Sequence, residues 1–201
     1  MTTTDDVRYD DTTALIVVDV QNDFADPEGG LYVSGGEEIV PLVNAHIDAA
    51  RQAGALVAYT QDWHPPETPH FEKDGGTWPV HCVRGTWGAE LHPALKVVDG
   101  PVVKKGVDGE DGYSGFSVRD PVSGEEDATE LGSLLEEAGV RHVVVTGLAG
   151  DVCVKETALD ARRLGYDVTL PVDTTRFVEL EPGDGERAVE ELRAAGVTIR
   201  P

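Results

Sequence analysis

One cysteine of this sequence stands where a thiol would act as a nucleophile. Cys153 lies in GLAGDVCVKETALDA, between an apolar run, HVVVT, and a helix-forming segment. Asp151 is the predicted N-cap, which places Cys153 in the first helical turn, where the helix dipole and free N–H groups favour a thiolate. The same N–H groups, with one from the turn 148–150, would hold an oxyanion. A lone cysteine is more often a small buried hydrophobe, but the strand-end position and the glycine-rich turn favour a nucleophile.

An acid and a lysine would complete an acid–base site with this thiol. Asp19 lies in the apolar run VVDVQNDF, where an unpaired carboxylate is costly to bury. Beside Cys153 it would take the thiol proton and return it to the leaving group, while a neighbouring lysine would keep it ionised. Lys104 and Lys105 point to opposite faces of a strand. We favour Lys105 because it directly precedes Gly106 at the strand end, although spacing alone leaves Lys104 open.

A third set of residues is typical of a metal site. Asp62 and His64, in QDWH, face the same way in an extended chain. His81, in WPVHC, adds another ligand, and His70 is a candidate fourth. The pattern predicts a divalent transition metal with open positions for water or substrate, zinc foremost, with iron or manganese also compatible. We predict no catalytic role for the remaining histidines, His46, His92 and His142.

The elements that must position these residues alternate between β-rich apolar runs and helical patterns. The predicted strands are ALIVVDV (14–20), ALVAYTQD (55–62), GPVVKKG (100–106), RHVVVTG (141–147), YDVTLPVD (166–173) and VTIR (197–200). The predicted helices span 37–54, 128–139, 152–165 and 185–196. This order predicts an α/β fold with three α/β/α layers and a central, mostly parallel, Rossmann-like sheet. Ligands bind such sheets at the carboxyl ends of the strands, which is where the candidate residues fall.

The chain is predicted to form one domain, 12–201, preceded by a flexible acidic leader, 1–11, that lacks the basic and apolar parts of a signal peptide. The stretch 63–95 shows little periodicity. Loops of this length are usually functional or disordered, and its three tryptophans and four histidines argue against disorder.

The net charge bears on the partners that this chain can bind, and the cysteine content bears on its compartment. The 201 residues include 16 Lys and Arg against 38 Asp and Glu, a net charge of −22. Such a chain is expected to repel nucleic acids and anionic lipids. The acidic runs SGEEDATE and ELEPGDGE are predicted to be solvated, and adaptation to high salt is one hypothesis for their abundance. Two cysteines form no disulfide framework and suit a reducing, cytoplasmic location.

The motifs VVDVQNDF, QDWH, WPVHC, KKG…YSGF and GLAGDVCV occur in the order found in nicotinamidases. From about Ala14 to Asp173 the chain resembles these metal-containing members of the isochorismatase-like cysteine hydrolases. The resemblance implies an isochorismatase-like hydrolase domain that converts nicotinamide to nicotinate and ammonia in NAD salvage, with pyrazinamide within its substrate range. It also implies that homo-oligomers are common among relatives. By position, it implies a triad of Asp19, Lys105 and Cys153 and metal ligands Asp62, His64 and His81, with His70 a variable fourth ligand.

The resemblance also implies a substrate pocket. Phe24, Trp78 and Tyr113 match positions that line an aromatic cavity, and the metal of relatives contacts the pyridine nitrogen directly or through water. Leu148 and Ala149 match a cis peptide bond, and the N–H groups of Ala149 and Cys153 match the oxyanion hole. Two residues depart from the common pattern without removing a catalytic group: Gly150 replaces a frequent threonine, and Val152 a frequent histidine or tyrosine.

Two alternatives remain at this stage. One is another hydrolase of the same fold, because isochorismatases lack the cysteine and metal set and N-carbamoyl amide hydrolases share the triad but lack the D-x-H…H pattern. The other is a non-catalytic metal-binding or interaction protein on this scaffold. The presence of all three triad residue types at separate strand ends argues against it.

Overall fold

The computed structural model describes residues 7–201. Its strands are β1 (Thr13–Val18), β2 (Leu56–Asp62), β3 (Val102–Lys105), β4 (Ser117–Arg119), β5 (Glu126–Ala128), β6 (His142–Leu148), β7 (Asp167–Pro171), β8 (Thr175–Arg176) and β9 (Thr198–Arg200). Seven of them form one sheet in the order β3-β2-β1-β6-β7-β9, with β8 paired to β6. Every pairing in this sheet is parallel. Strands β4 and β5 form a separate antiparallel hairpin.

Helices cover both faces of the sheet. They are α1 (Asn22–Ala25), α2 (Val40–Gln52), α3 (Leu131–Glu137), α4 (Cys153–Arg163) and α5 (Asp184–Ala194). Alternate residues of β1 point to opposite faces, so Leu15 packs in the core beneath α2, and Ile16 in the core beneath α3, α4 and α5. Within residues 7–201, no helix is both long enough and apolar enough to cross a bilayer.

The chain changes its direction of winding at the centre of the sheet. Strands β2 and β3 extend from one side of β1, whereas β6, β7 and β9 extend from the other. The carboxyl ends of β1 and β6 therefore flank a crevice, which is where open α/β sheets bind ligands. The predicted three-layer α/β architecture is confirmed, and this crevice is the expected position of a ligand site.

The element boundaries differ from the predictions by a few residues, and four short elements, α1, β4, β5 and β8, were missed. Strand β1 ends at Val18 rather than residue 20, and helix α2 is preceded by a 3-10 turn, Gly36–Ile39. Helix α1 and strand β8 are too short to show a period. The hairpin strand β5 consists of Glu126, Asp127 and Ala128, residues with low β propensity, and it is exposed as the acidic run predicted.

The predicted leader falls partly outside the described residues, which begin at Val7. Val7 is buried in the core beneath α2, with 7% of its surface exposed. The Tyr9 hydroxyl lies 2.8 Å from Nδ1 of His46 on α2. Val7 and Tyr9 thus pack against α2, although both fall within the predicted leader.

Candidate active site

The three residues of the predicted triad meet at the carboxyl rim of the sheet. Asp19 directly follows β1 with a left-handed φ of 48°, which is uncommon outside glycine. Lys105 is the last residue of β3, and Cys153 is the first residue of α4. Asp19 and Lys105 are fully buried, whereas Cys153 keeps 7% of its surface exposed. The sheet places each side chain because three different strands end at this edge.

Lys105 is the centre of the site. Its Nζ donates hydrogen bonds to Asp19 Oδ2 at 2.8 Å, to Asp62 Oδ1 at 2.6 Å and to the Gly112 carbonyl, and it lies 3.9 Å from Cys153 Sγ. Lys104 is exposed, with its Nζ 3.5 Å from the ring centroid of Trp63. The alternation of a strand thus settles the choice between the two lysines.

Burial and charge set the protonation of this group. Burial raises the pKa of Asp19 to about 6, against the opposing effects of Lys105 and of the Thr60 hydroxyl, which donates to Oδ1 at 2.6 Å. Burial also raises the pKa of the Cys153 thiol well above its usual value, although Lys105 favours the thiolate. Burial works to lower the pKa of Lys105, but Asp19 and Asp62 outweigh it and raise that pKa. A neutral thiol therefore faces a carboxylate whose basicity is increased.

The turn before Cys153 differs from the prediction in one respect. Asp151 does not cap α4, because Val152 precedes the helix with φ −126° and ψ −101° and no side chain caps its N-terminus. The Asp151 carboxylate instead accepts hydrogen bonds from the backbone N–H groups of Val178 and Glu179, both at 2.9 Å. The N-cap prediction is therefore wrong, since the chain bends at Val152 and turns Asp151 away from the helix.

The same turn carries the predicted cis peptide bond between Leu148 and Ala149. The Ala149 carbonyl accepts hydrogen bonds from the N–H groups of Val152 and Val154. Within residues 7–201, the N–H groups of Ala149 and Cys153 donate to no protein acceptor. Both residues line the cavity described below, so two backbone donors remain for a negatively charged oxygen.

Three histidines form a cluster next to the triad. The ring nitrogens of His64, His70 and His81 lie within 4.8 Å of one another. His70 Nδ1 is 2.6 Å from Asp111 Oδ1, and His81 Nδ1 is 2.7 Å from the Pro79 carbonyl, which leaves Nε2 of each ring for a ligand.

The state of these rings fits a metal ion. His64 is fully buried, and neither of its ring nitrogens has a hydrogen-bond partner. Buried polar groups are rarely unpaired, so this ring lacks a partner that a metal would supply. Burial lowers the pKa of His81 to about 4, which keeps its ring neutral as metal ligation requires. The donor set of imidazoles and a carboxylate suits a divalent transition metal.

Asp62 lies between the triad and the histidines. Its Oδ1 accepts from Lys105, and its Oδ2 is 3.8 Å from His64 Nε2 and 3.9 Å from His81 Nε2. Burial disfavours the charged carboxylate, yet Lys105, His64 and His81 together outweigh burial and lower its pKa. Asp62 is thus an ionised oxygen donor directed at the histidine cluster, as its predicted ligand role requires.

A mainly apolar cavity opens onto both groups. All five residues predicted to contact substrate line it, namely Phe24, Trp78, Tyr113, Leu148 and Ala149. Trp78 Nε1 donates to Tyr113 Oη at 2.9 Å, so the two rings form one wall. The lining residues that sequence reasoning missed are Leu31, Val33, Gly112, Val152 and Val178. They are ordinary aliphatic residues and a glycine in irregular segments, and no local pattern distinguishes them.

Comparisons with known proteins agree with this geometry. Residues 13–200 match the isochorismatase domain. The chain is 36% identical to the nicotinamidase of Escherichia coli, covering 92% of this chain and 93% of that protein. The crystal structure of PnC1 from L. infantum in complex with nicotinate superposes with a TM-score of 0.87 at 38% identity, covering 96% of this chain and 94% of the other. The zinc complex of a pyrazinamidase from Pyrococcus horikoshii gives 0.84 at 38% identity, covering 94% and 98%.

Proposed function

Because this chain belongs to the isochorismatase domain family, we propose that it hydrolyses nicotinamide to nicotinate and ammonia through a thioester on Cys153, as a step of NAD salvage. One observation carries the proposal. Lys105 joins Asp19, Asp62 and Cys153 in one buried network, and two of the three clustered histidines, His70 and His81, line the same apolar cavity as Cys153. The nicotinamidase and the nicotinate complex among its relatives support this substrate.

In the first half of the reaction, Asp19 accepts the Cys153 proton and the sulfur adds to the carboxamide carbon. The N–H groups of Ala149 and Cys153 bind the resulting oxyanion. Lys105 stays protonated and balances the negative charge that moves between Asp19 and the sulfur. Asp19 then gives its proton to the amide nitrogen, and ammonia leaves a thioester behind.

In the second half, Asp19 accepts a proton from water as the water oxygen adds to the thioester carbon. Collapse of this intermediate expels the Cys153 sulfur, which recovers a proton from Asp19, and the nicotinic acid formed loses its remaining proton to solvent and leaves as nicotinate. Asp62, His64 and His81, with His70 as a fourth ligand, would hold a divalent metal, for which zinc is our choice. When bound, the metal supplies a positive anchor for the pyridine nitrogen and for water.

Ammonia release from nicotinamide by the purified protein tests this proposal directly. We expect activity that falls after exhaustive chelation and returns with added zinc, and no activity in Cys153→Ala. The buried thiol of Cys82 provides the matched control, because its Sγ lies 3.9 Å from the Gly88 carbonyl and Cys82→Ala removes a thiol that is not part of the triad. Activity confined to an N-carbamoyl substrate would favour the alternative hydrolase, and activity indifferent to chelation would contradict the metal role.

We also propose a cytoplasmic location and a small-molecule partner. Both cysteines are free thiols in the structure, which is compatible with a reducing compartment. The net charge of −22 disfavours binding to nucleic acid or to anionic lipid. Sedimentation of the purified protein, with and without DNA or anionic vesicles, would reveal any such binding and would also report self-association.

A further inference from the structure

The segment that follows β8 is attached to the turn that carries the nucleophile. We call residues 176–179 the wall segment. The Gly150 N–H donates to the Arg176 carbonyl at 2.8 Å, and Asp151 accepts from Val178 and Glu179, both at 2.9 Å. Three hydrogen bonds thus connect two consecutive residues of the nucleophile turn to the wall segment.

Phe177 packs into space that glycines leave open. A methyl group on Gly150 would lie 2.5 Å from Cε1 of Phe177, and one on Gly185 would lie 2.7 Å from its Cγ. Both distances are far shorter than a carbon–carbon contact. The glycine at position 150, which departs from the common pattern, therefore makes room for this ring.

The far end of the wall segment is fixed to helix α5. Glu179 has a left-handed φ of 56°, uncommon for a residue other than glycine. Its carboxylate accepts hydrogen bonds from the N–H groups of Gly183 at 2.8 Å and Gly185 at 3.0 Å, at the start of α5. The Asp151 and Glu179 carboxylates together hold this conformation from both sides.

Val178, in the middle of the wall segment, lines the cavity together with Val152 and Cys153. We propose that Asp151 is a positioning residue that fixes Val178 through these backbone hydrogen bonds and thereby limits the size of the ring that reaches Cys153. This inference rests on the proposed function for the identity of the ring substrate. The geometry of the wall itself is independent of that substrate.

Alkylation of Cys153 measures, without any substrate, how large a molecule the wall segment allows to reach the thiol. The probes are iodoacetamide, which is small, and N-benzylmaleimide, which carries a ring, and peptide mass spectrometry separates Cys153 from the fully buried Cys82. The parent is compared with Asp151→Ala, Asp151→Asn and the control Asp120→Ala. Asp120 accepts from the N–H groups of Val122 at 2.8 Å and Ser123 at 2.6 Å and does not line the cavity, so the control removes a similar pair of carboxylate–backbone bonds away from the wall segment.

We expect Asp151→Ala to raise the ratio of the maleimide rate to the iodoacetamide rate about tenfold, the effect of losing a charged hydrogen bond. Asp151→Asn should fall between the parent and Asp151→Ala, because its amide oxygen still accepts one N–H group. Asp120→Ala should keep the parent ratio. Equal ratios in Asp151→Ala and Asp120→Ala would overturn the proposal, and so would a rise of both rates by the same factor, which would indicate general loosening.

Kinetics with nicotinamide give the second measurement. In Asp151→Ala we expect the KM for nicotinamide to rise about tenfold with kcat within about threefold of the parent, because the wall contacts the ring rather than the carboxamide. A fall in kcat with an unchanged KM would assign Asp151 to the nucleophile turn alone and would contradict the wall role. A parent without activity on nicotinamide would overturn the proposed function. The alkylation ratios would still show whether Asp151 fixes the position of Val178 in the wall segment.

Gly150 and Phe177 provide an independent variant pair. Gly150→Ala alone should displace the Phe177 ring and raise the maleimide ratio, since a methyl group has no room there. Adding Phe177→Ala removes the clash, so the double variant should have a ratio below that of Gly150→Ala. Additive effects in this double-mutant cycle would show that the ring does not couple the turn to the wall, and would contradict the contact on which the wall depends.

Discussion

Lys105 separates two halves of the site, and each half contributes one carboxylate to it. Asp19 on the nucleophile side accepts from its Nζ at 2.8 Å, and Asp62 on the histidine side at 2.6 Å. Burial raises the pKa of Asp19 to about 6, whereas Lys105 and the neighbouring His64 and His81 together outweigh burial and lower the pKa of Asp62. The same ammonium group thus serves a base that exchanges protons and a carboxylate that stays ionised as a ligand.

The two halves are also built differently. Asp19, Lys105 and Cys153 stand at the ends of strands or at the start of a helix, where the sheet fixes their positions. The histidines lie on the long connection between β2 and β3, where isolated bridges and single hydrogen bonds replace regular structure. We therefore expect substitutions on the nucleophile side to affect the chemical step, and those on the histidine side to affect metal binding.

Removal of the nucleophile should produce the largest effect. Cys153→Ala should lower kcat by about 10⁴-fold or more, because no other group can form the thioester, while its metal content stays at the parent level. A steady-state ammonia assay and elemental analysis of the same preparation check both expectations. Metal loss in this variant would show that the two halves are not separable.

Exchange of one carboxylate at a time tests the comparison at Lys105 itself. Asp19→Asn should lower kcat by about 10³-fold with the metal content unchanged, since general acid–base catalysis contributes effects of this size. Asp62→Asn should instead weaken zinc binding in a competition titration with a chromogenic chelator. If Asp19→Asn also lost zinc, Asp19 would belong to the histidine side.

The sequence predicted that the residues of the nucleophile side would lie at one edge of the sheet, because strand ends can be read from apolar runs and parallel strands bring their ends to one edge. Alternation along the strand left Lys104 and Lys105 both open, and the position of Lys105 directly before Gly106 at the strand end favoured it. The role of Asp151 was predicted wrongly, because the bend at Val152 depends on tertiary contacts with Val178 and Glu179.

On the histidine side, the sequence revealed the candidate ligands but not the residues that hydrogen-bond to them. Asp111 lies in a glycine-rich loop that no local pattern links to His70, 41 positions earlier. The pairing exists only after the chain folds back, and the nearby isolated bridge joins Asp111 to Arg119 of β4, whose partner strand β5 has low β propensity. Contacts between irregular segments depend on the whole fold, so sequence periodicity cannot reveal them.

The support of His70 gives a smaller, graded test of the histidine side. Asp111→Asn should weaken zinc affinity about tenfold, the lower end of effects seen when a hydrogen-bond partner of a metal-bound histidine is changed. Zinc titration with a fluorescent competitor measures this. Asp108→Asn is the control, because that loop carboxylate does not contact His70. Equal affinities in the two variants would mean that Asp111 does not orient the ring.

The acid limb of the pH dependence of kcat/KM should follow the ionisation of Asp19, on the nucleophile side. Asp19 must be ionised to accept the thiol proton, so kcat/KM should fall as the pH drops below about 6, the pKa to which burial raises Asp19. Thr60→Val removes a hydrogen bond that favours the ionised form, so the acid limb should move upward by about 0.5–1 pH unit. Thr174→Val, which removes a buried hydroxyl bonded to Pro171, should leave the limb in place.

Added salt should change the stability that exposed charges determine and leave unchanged the acid limb that the buried charges determine. With 38 acidic against 16 basic side chains, surface carboxylates repel one another, and added salt screens them within a Debye length of roughly 3 Å at 1 M. The free energy of unfolding should therefore rise by about 1–2 kcal/mol between low and molar sodium chloride, comparable to a few exposed charge interactions. Sucrose of equal osmolality serves as the uncharged control.

Lys105 and Asp19 are fully buried, so the acid limb of kcat/KM should not move over the same range of salt concentration. Equal stability in low and molar salt would contradict the repulsion, and a limb that moved with salt would mean that Asp19 is not shielded from solvent.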